Sequence, residues 1–81
     1  MKNFNYEITD IIKTLSTKET DRKTTTLELN KVSWNGSSEK YDLRIWSTDK
    51  ETSERTPYKG ITLDKDQLKA LYIALQGLFK E

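Results

Sequence analysis

The chain has 81 residues, 14 Lys and Arg against 13 Asp and Glu for a net charge of +1, and neither His nor Cys. That length predicts one domain, 1–81, with a marginal core of its own, because so short a chain buries only about 60% of its unfolded surface. The missing side chains exclude disulfides, thiolate metal sites and the commonest general acid–base, and the balanced charge is not the basic profile of most nucleic-acid-binding domains.

Dense packing or oligomerisation would make up for the small core. No apolar run approaches the ~20 residues of a membrane helix and no signal peptide is visible. The expectation is a soluble cytoplasmic protein, with nucleoid association left open; the lack of Cys fits a reducing compartment. No Gly-rich phosphate loop, paired acidic motif or nucleophile motif occurs, so no enzymatic activity, cofactor, metal or small-molecule substrate is expected.

In chain order, NYEITDIIKTLS carries Tyr6, Ile8, Ile11, Ile12 and Leu15 and reads as a first strand. Its apolar parity switches between Ile8 and Ile11, which predicts a bulge near Asp10. TKETDRK reads as a solvated loop. TTTLELNKVSWNG reads as a long second strand, in which Leu27 and Leu29 share one parity and Val32 and Trp34 the other. Either that strand bends near Asn30–Lys31 or Trp34 lies on the outer face. Asn35-Gly36 then marks a hairpin turn. In the third strand, KYDLRIWS, Tyr41, Leu43 and Ile45 alternate with Lys40, Asp42, Arg44 and Trp46. TDKETSERTP reads as a mobile loop and YKGITL as a short fourth strand, with Ile61 and Leu63 on one face.

A helix follows. Asp64 as N-cap and Gln67 three residues on form a capping-box pattern. Leu68, Leu71, Tyr72, Leu75, Leu78 and Phe79 recur at helical spacing, and Ala70, Ile73 and Ala74 widen the apolar surface beyond one stripe. That excess fits either a second subunit docked around Tyr72, Leu75 and Phe79, or a helix well buried in a single core.

The order β-β-β-β-α predicts an α+β fold: one curved four-stranded antiparallel sheet with the C-terminal helix on one face. The other face stays free, and Arg44 and Trp46 point there. Aromatics among cations on an open sheet suit a single-stranded nucleic acid, since every base can stack on Trp and cations reach phosphates. The candidates are Trp34, Arg44, Trp46, Lys40 and Lys31, and each has a plainer reading. Trp34 and Trp46 suit a core or an interface equally well, Arg44 suits an ion pair with Asp42, and Lys31, Lys40 and Lys59 suit ordinary solvated surface.

Asp42-Leu43-Arg44-Ile45-Trp46, Lys59-Gly60-Ile61-Thr62-Leu63 before an amphipathic helix, and Trp34-Asn35-Gly36 at the preceding hairpin resemble motifs of the transcriptional positive-coactivator (positive cofactor four) family, bacterial branch. The resemblance implies a strongly curved sheet plus one helix, a homodimer, and single-stranded DNA binding with little sequence preference in a bacterial or phage-like setting. By position, Trp34 is similar to the family's stacking aromatic, Arg44 to its strand arginine facing DNA, and Lys59 to its Lys-Gly-Ile lysine. Ser47 stands where eukaryotic members place a further aromatic, Glu39 dilutes the basic hairpin, and a Ser-rich extension has no counterpart, so a eukaryotic-type coactivator role does not transfer. The expected partners are single-stranded DNA, with RNA and melted duplex as alternatives, and a second copy of the chain. The rival function is a protein-interaction module of the transcription machinery using the same Trp-bearing face.

Overall fold

The structure, a computed structural model, describes residues 5–80. Four strands, β1 (Tyr6–Glu19), β2 (Lys23–Trp34), β3 (Lys40–Asp49) and β4 (Arg55–Leu63), precede one helix, α1 (Lys65–Leu78). The strands form one antiparallel sheet in the order β1-β2-β3-β4. Fold class and element order are as the sequence predicts.

Local chemistry sets the turns and the helix start. Asn35 and Gly36 both have positive φ, 51° and 78°, and the Ser37 amide donates to the Trp34 carbonyl at 3.0 Å. Positive φ at both central residues is what a twisted hairpin requires, and Asn-Gly provides it at little steric cost. At the helix start, the Gln67 amide donates to Asp64 Oδ1 at 2.8 Å while the Asp64 amide donates to Gln67 Oε1 at 2.9 Å. Two N–H groups that a helix start leaves without partners are thereby satisfied.

The stretch expected to be a mobile loop is mostly ordered strand and turn. Thr48 and Asp49 end β3, Arg55–Pro57 begin β4, and Asp49 Oδ1 accepts from the amides of Glu51 and Thr52 at 2.8 and 3.1 Å. Those two amide hydrogen bonds outweigh the weak effect of burial and hold the Asp49 carboxyl below the usual aspartate range. Pro57 is tolerated in β4 because β4 is an edge strand. β1 also runs further than expected, with Thr17, Lys18 and Glu19 still paired to Thr26, Thr25 and Thr24.

Both edges carry bulges. β1 shifts register at three places, the first between Ile8 and Asp10 as expected, and β4 shifts once opposite Ile45, between the pairs Arg44–Gly60 and Trp46–Pro57. Bulges bend and twist a strand. The sheet accordingly closes on itself: the Tyr6 hydroxyl on one edge donates to the Arg55 carbonyl on the other at 3.5 Å. The Tyr6 ring also lies 5.7 Å from Trp34 and 5.2 Å from Trp46. These contacts cross the face away from α1, which is therefore concave.

The β2–β3 register is unbroken from Lys23 to Val32, so β2 does not bend near Asn30. Of the two readings open for Trp34, the one that holds puts it on the face opposite Leu27 and Leu29. The concave face holds the most buried large side chains among the described residues: Val32, Trp46, Asn30 and Asp42, with Glu28 nearly so. The convex face carries Leu27, Leu29, Tyr41, Leu43, Ile45 and Leu63, all only partly covered, with Ile61 exposed. The helix does not bury its stripe in one core. No α1 residue is buried, and Leu68 is the one that is partly covered rather than exposed. Tyr72, Leu75 and Phe79, the candidate dimer contacts, are 58%, 41% and 76% exposed. Between α1 and the sheet runs an apolar groove of about 620 Å³ lined by Leu29, Tyr41, Leu68, Leu71, Tyr72 and Leu75.

Candidate functional site

β2, β3 and β4 together build a polar lattice on the concave face. Cross-strand pairing sets Asn30 against Asp42 and Glu28 against Arg44, and on the other side Asp42 against Thr62 and Arg44 against Gly60. Side chains of paired residues share a face, so the Asp42 and Glu28 carboxylates and the Arg44 guanidinium converge on one concave surface, joined by Arg55 through its pairing with Thr48.

Asp42 is the hub. It is fully buried, and it accepts from Arg44 Nε and Nη2 at 2.9 Å each, from Trp34 Nε1 at 3.3 Å and from the Thr62 hydroxyl at 3.3 Å. Arg44 Nη1 donates to the Tyr58 carbonyl at 2.8 Å, and the guanidinium lies over the Trp34 ring at 4.8 Å. A buried carboxylate is tolerable only with such partners. The ion pair that sequence reasoning held as the plainer reading of Arg44 is therefore present.

A second, similar unit lies alongside. Arg55 Nη2 donates to Glu28 Oε1 at 2.9 Å and its guanidinium covers the Trp46 ring at 4.7 Å. Glu28 also accepts from Thr26 and from Asn30. Burial is the largest single influence on Glu28 and raises its pKa. The hydrogen bonds from Thr26, Asn30 and Arg55, with the Arg55 charge, together outweigh it and leave the carboxyl below the usual glutamate range.

Gly60 is required by this geometry. A Cβ there would lie 2.6 Å from both Arg44 Cβ and the Leu43 carbonyl oxygen. The Lys-Gly-Ile motif thus lets β4 pass directly over Arg44, and the adjacent bulge turns the Tyr58 carbonyl toward it.

The opening of the lattice is a cleft of about 370 Å³ lined by Trp34, Asn35, Arg44, Pro57, Tyr58 and Thr62. Trp34 is partly exposed and Tyr58 48% exposed. The cleft has the volume of small-ligand sites. It offers aromatic surface beside a fixed guanidinium.

The expected site residues separate. Trp34 and Arg44 come together, and Lys40, paired with Val32 and exposed, lies on the same face at the start of β3. Trp46 does not serve as an exposed platform: it is 0% exposed, enclosed by Tyr6 and Arg55. Lys31 pairs with Tyr41 on the convex face, 5.6 Å from that ring and 3.7 Å from Glu39. Lys59 is exposed and lies in the β4 bulge opposite Ile45, inside that strand rather than at its start as expected. Sequence reasoning missed Arg55 and Tyr58. The alternation Arg55, Pro57 was a strand signal, obscured by the polar run that precedes it.

Residues 22–74 match the family model described as Transcriptional Coactivator p15 (PC4). The chain is also 44% identical over 76 residues, 94% of its own length and 81% of the relative's, to a protein of Treponema pallidum (strain Nichols) described as uncharacterized. The chain belongs to the transcriptional coactivator p15 (PC4) family.

Proposed function

We propose that this member of the p15 (PC4) family binds single-stranded DNA along the concave sheet face as a homodimer, with little overall sequence preference, in the service of transcription, replication or repair. The observation that carries the reading is the cleft in which the partly exposed Trp34 ring lies against the Arg44 guanidinium, with Tyr58 on its wall. Stacking accepts any base and is worth about 1–3 kcal/mol per base. In a duplex the bases already stack on one another, so the cleft favours single strands.

Lys40 is an exposed cation on this face, and Arg55 is partly exposed at its far end. Since Arg44 and Arg55 are each paired with a carboxylate, stacking contributes more of the affinity than charge does. RNA fits the same cleft on these grounds.

Fluorescence titration tests the proposal. Oligo-dT at low salt is expected to quench tryptophan emission, a duplex of equal length is not, and Trp34→Phe is expected to abolish the quenching because Trp46 is enclosed. No quenching by any single strand would favour the rival, a protein-binding use of this face.

A further inference from the structure

Arg44 has five N–H donors, as every guanidinium does. Nε and one Nη2 hydrogen go to Asp42, and one Nη1 hydrogen goes to the Tyr58 carbonyl. One N–H on each terminal nitrogen is left without a hydrogen bond among the described residues, and Arg44 lines the cleft. Its side chain is 17% exposed and its carboxylate partner 0%. The Arg44–Asp42 unit is thus a neutral object, held against Trp34, with one N–H open on each terminal nitrogen.

Such a unit is poorly suited to phosphate. Binding there would place a second anion close to the Asp42 carboxylate, and the neutral pair has little counterion release to offer. A neutral acceptor meets no such repulsion. With the Cδ-side Nη1 hydrogen on the Tyr58 carbonyl, the two open N–H groups lie side by side and match two adjacent acceptors on a base edge, which guanine supplies as O6 and N7; adenine sets an amino donor against one of them.

We propose that Arg44, held by Asp42, reads a base edge in this cleft, with guanine preferred and adenine disfavoured, rather than neutralising a phosphate. The inference rests on the single-strand reading above and adds one biased position per protomer to an otherwise sequence-tolerant surface. Stacking places the base, and Arg44 discriminates among bases so placed. Asp42 acts as a positioning residue, because it fixes the plane of the guanidinium and cancels its charge.

The test varies the ligand before the protein. Hexamers of dT with and without a single dG are compared by Trp34 fluorescence. One dG is expected to tighten binding by about fivefold or more, the lower end of what a bidentate Arg–guanine pair discriminates. Replacing that dG by 7-deaza-dG, which lacks N7, is expected to remove most of the gain. The double variant Asp42→Asn, Arg44→Gln leaves no unpaired buried charge. It is expected to lose the guanine preference with the slope of log Kd against log salt unchanged.

Equal affinity for the two hexamers, with both binding, overturns the inference and leaves the single-strand reading in place. So does a gain that survives 7-deaza substitution, or a slope that falls by about 0.7, the value for one lost phosphate contact on a single strand. Failure of every hexamer to bind overturns both readings.

Discussion

Trp34 and Trp46 share a face and differ in everything else. Alternation along β3 placed Trp46 beside Arg44 correctly, because side-chain parity is a local property. Its burial is not local: it depends on Tyr6 from β1 and Arg55 from β4 closing over the ring. Trp46→Ala should therefore cost about 3–5 kcal/mol of stability, the range for a core aromatic. Trp34→Ala should cost about 1–3 kcal/mol in single-strand affinity. Urea midpoints and oligo-dT dissociation constants on both variants separate the two roles. Normal stability of Trp46→Ala would contradict its enclosure. Glu28 adds a pH dependence at the same scale. Its carboxyl titrates below the usual range when folded, so the unfolded chain binds more protons in acid. Stability from Glu28 is full above the ordinary glutamate pKa and is lost as pH falls through it toward the depressed folded value. Glu28→Gln should reduce that acid-limb loss while lowering stability at neutral pH, where Arg55 loses its partner. Parallel denaturation curves for variant and wild type from pH 7 to pH 3 would contradict it.

Among the elements, the helix was the most legible, since the capping box and the apolar spacing are contained within its own sequence. The Asn35-Gly36 turn was legible for the same reason. β4 was not. Its first residues follow a polar run, and the bulge opposite Ile45 leaves Tyr58 and Lys59 unpaired, so simple alternation cannot say which way the motif's lysine faces. The same motif's glycine has a clear structural use. Gly60→Ala would drive a methyl group into Arg44 and the Leu43 carbonyl, with no flexible side-chain end to yield. The substitution should cost roughly 1–3 kcal/mol, the usual range for overpacking. It should also separate β4 from β3 and release Arg44 from the Tyr58 carbonyl, so that binding weakens along with stability. Unchanged amide-exchange protection across the β3–β4 ladder in Gly60→Ala would show that the strands have room after all.

At the scale of the whole molecule, the chain is more open than a compact globule of its size. Its accessible surface is 6481 Å², where a compact protein of 9.5 kDa exposes about 5,000 Å². Its radius of gyration is 14.5 Å against about 11.7 Å for a compact chain of this length. The excess surface, roughly 1,400 Å², exceeds the ~800 Å² each partner contributes to a standard interface. It has an apolar source in the convex face and the exposed helix stripe; the sequence shows the wide helix surface but not a sheet face left half-covered. A second copy laid against these surfaces would supply the missing core. Sedimentation at micromolar concentration should then show a dimer. Leu75→Asp, which puts a charge on the wall of the helix–sheet groove, should dissociate it with loss of much of the folded structure. A dimer of this kind carries two concave faces, so a strand long enough to reach both binds the second site at a high effective concentration. Affinity per nucleotide should rise sharply once the oligo-dT spans the two clefts, and in whatever fraction of Leu75→Asp stays folded as a monomer the rise should vanish. A wild-type protein that sediments as a folded monomer, or a monomeric variant that keeps the length dependence, would show that one concave face accounts for binding without a partner.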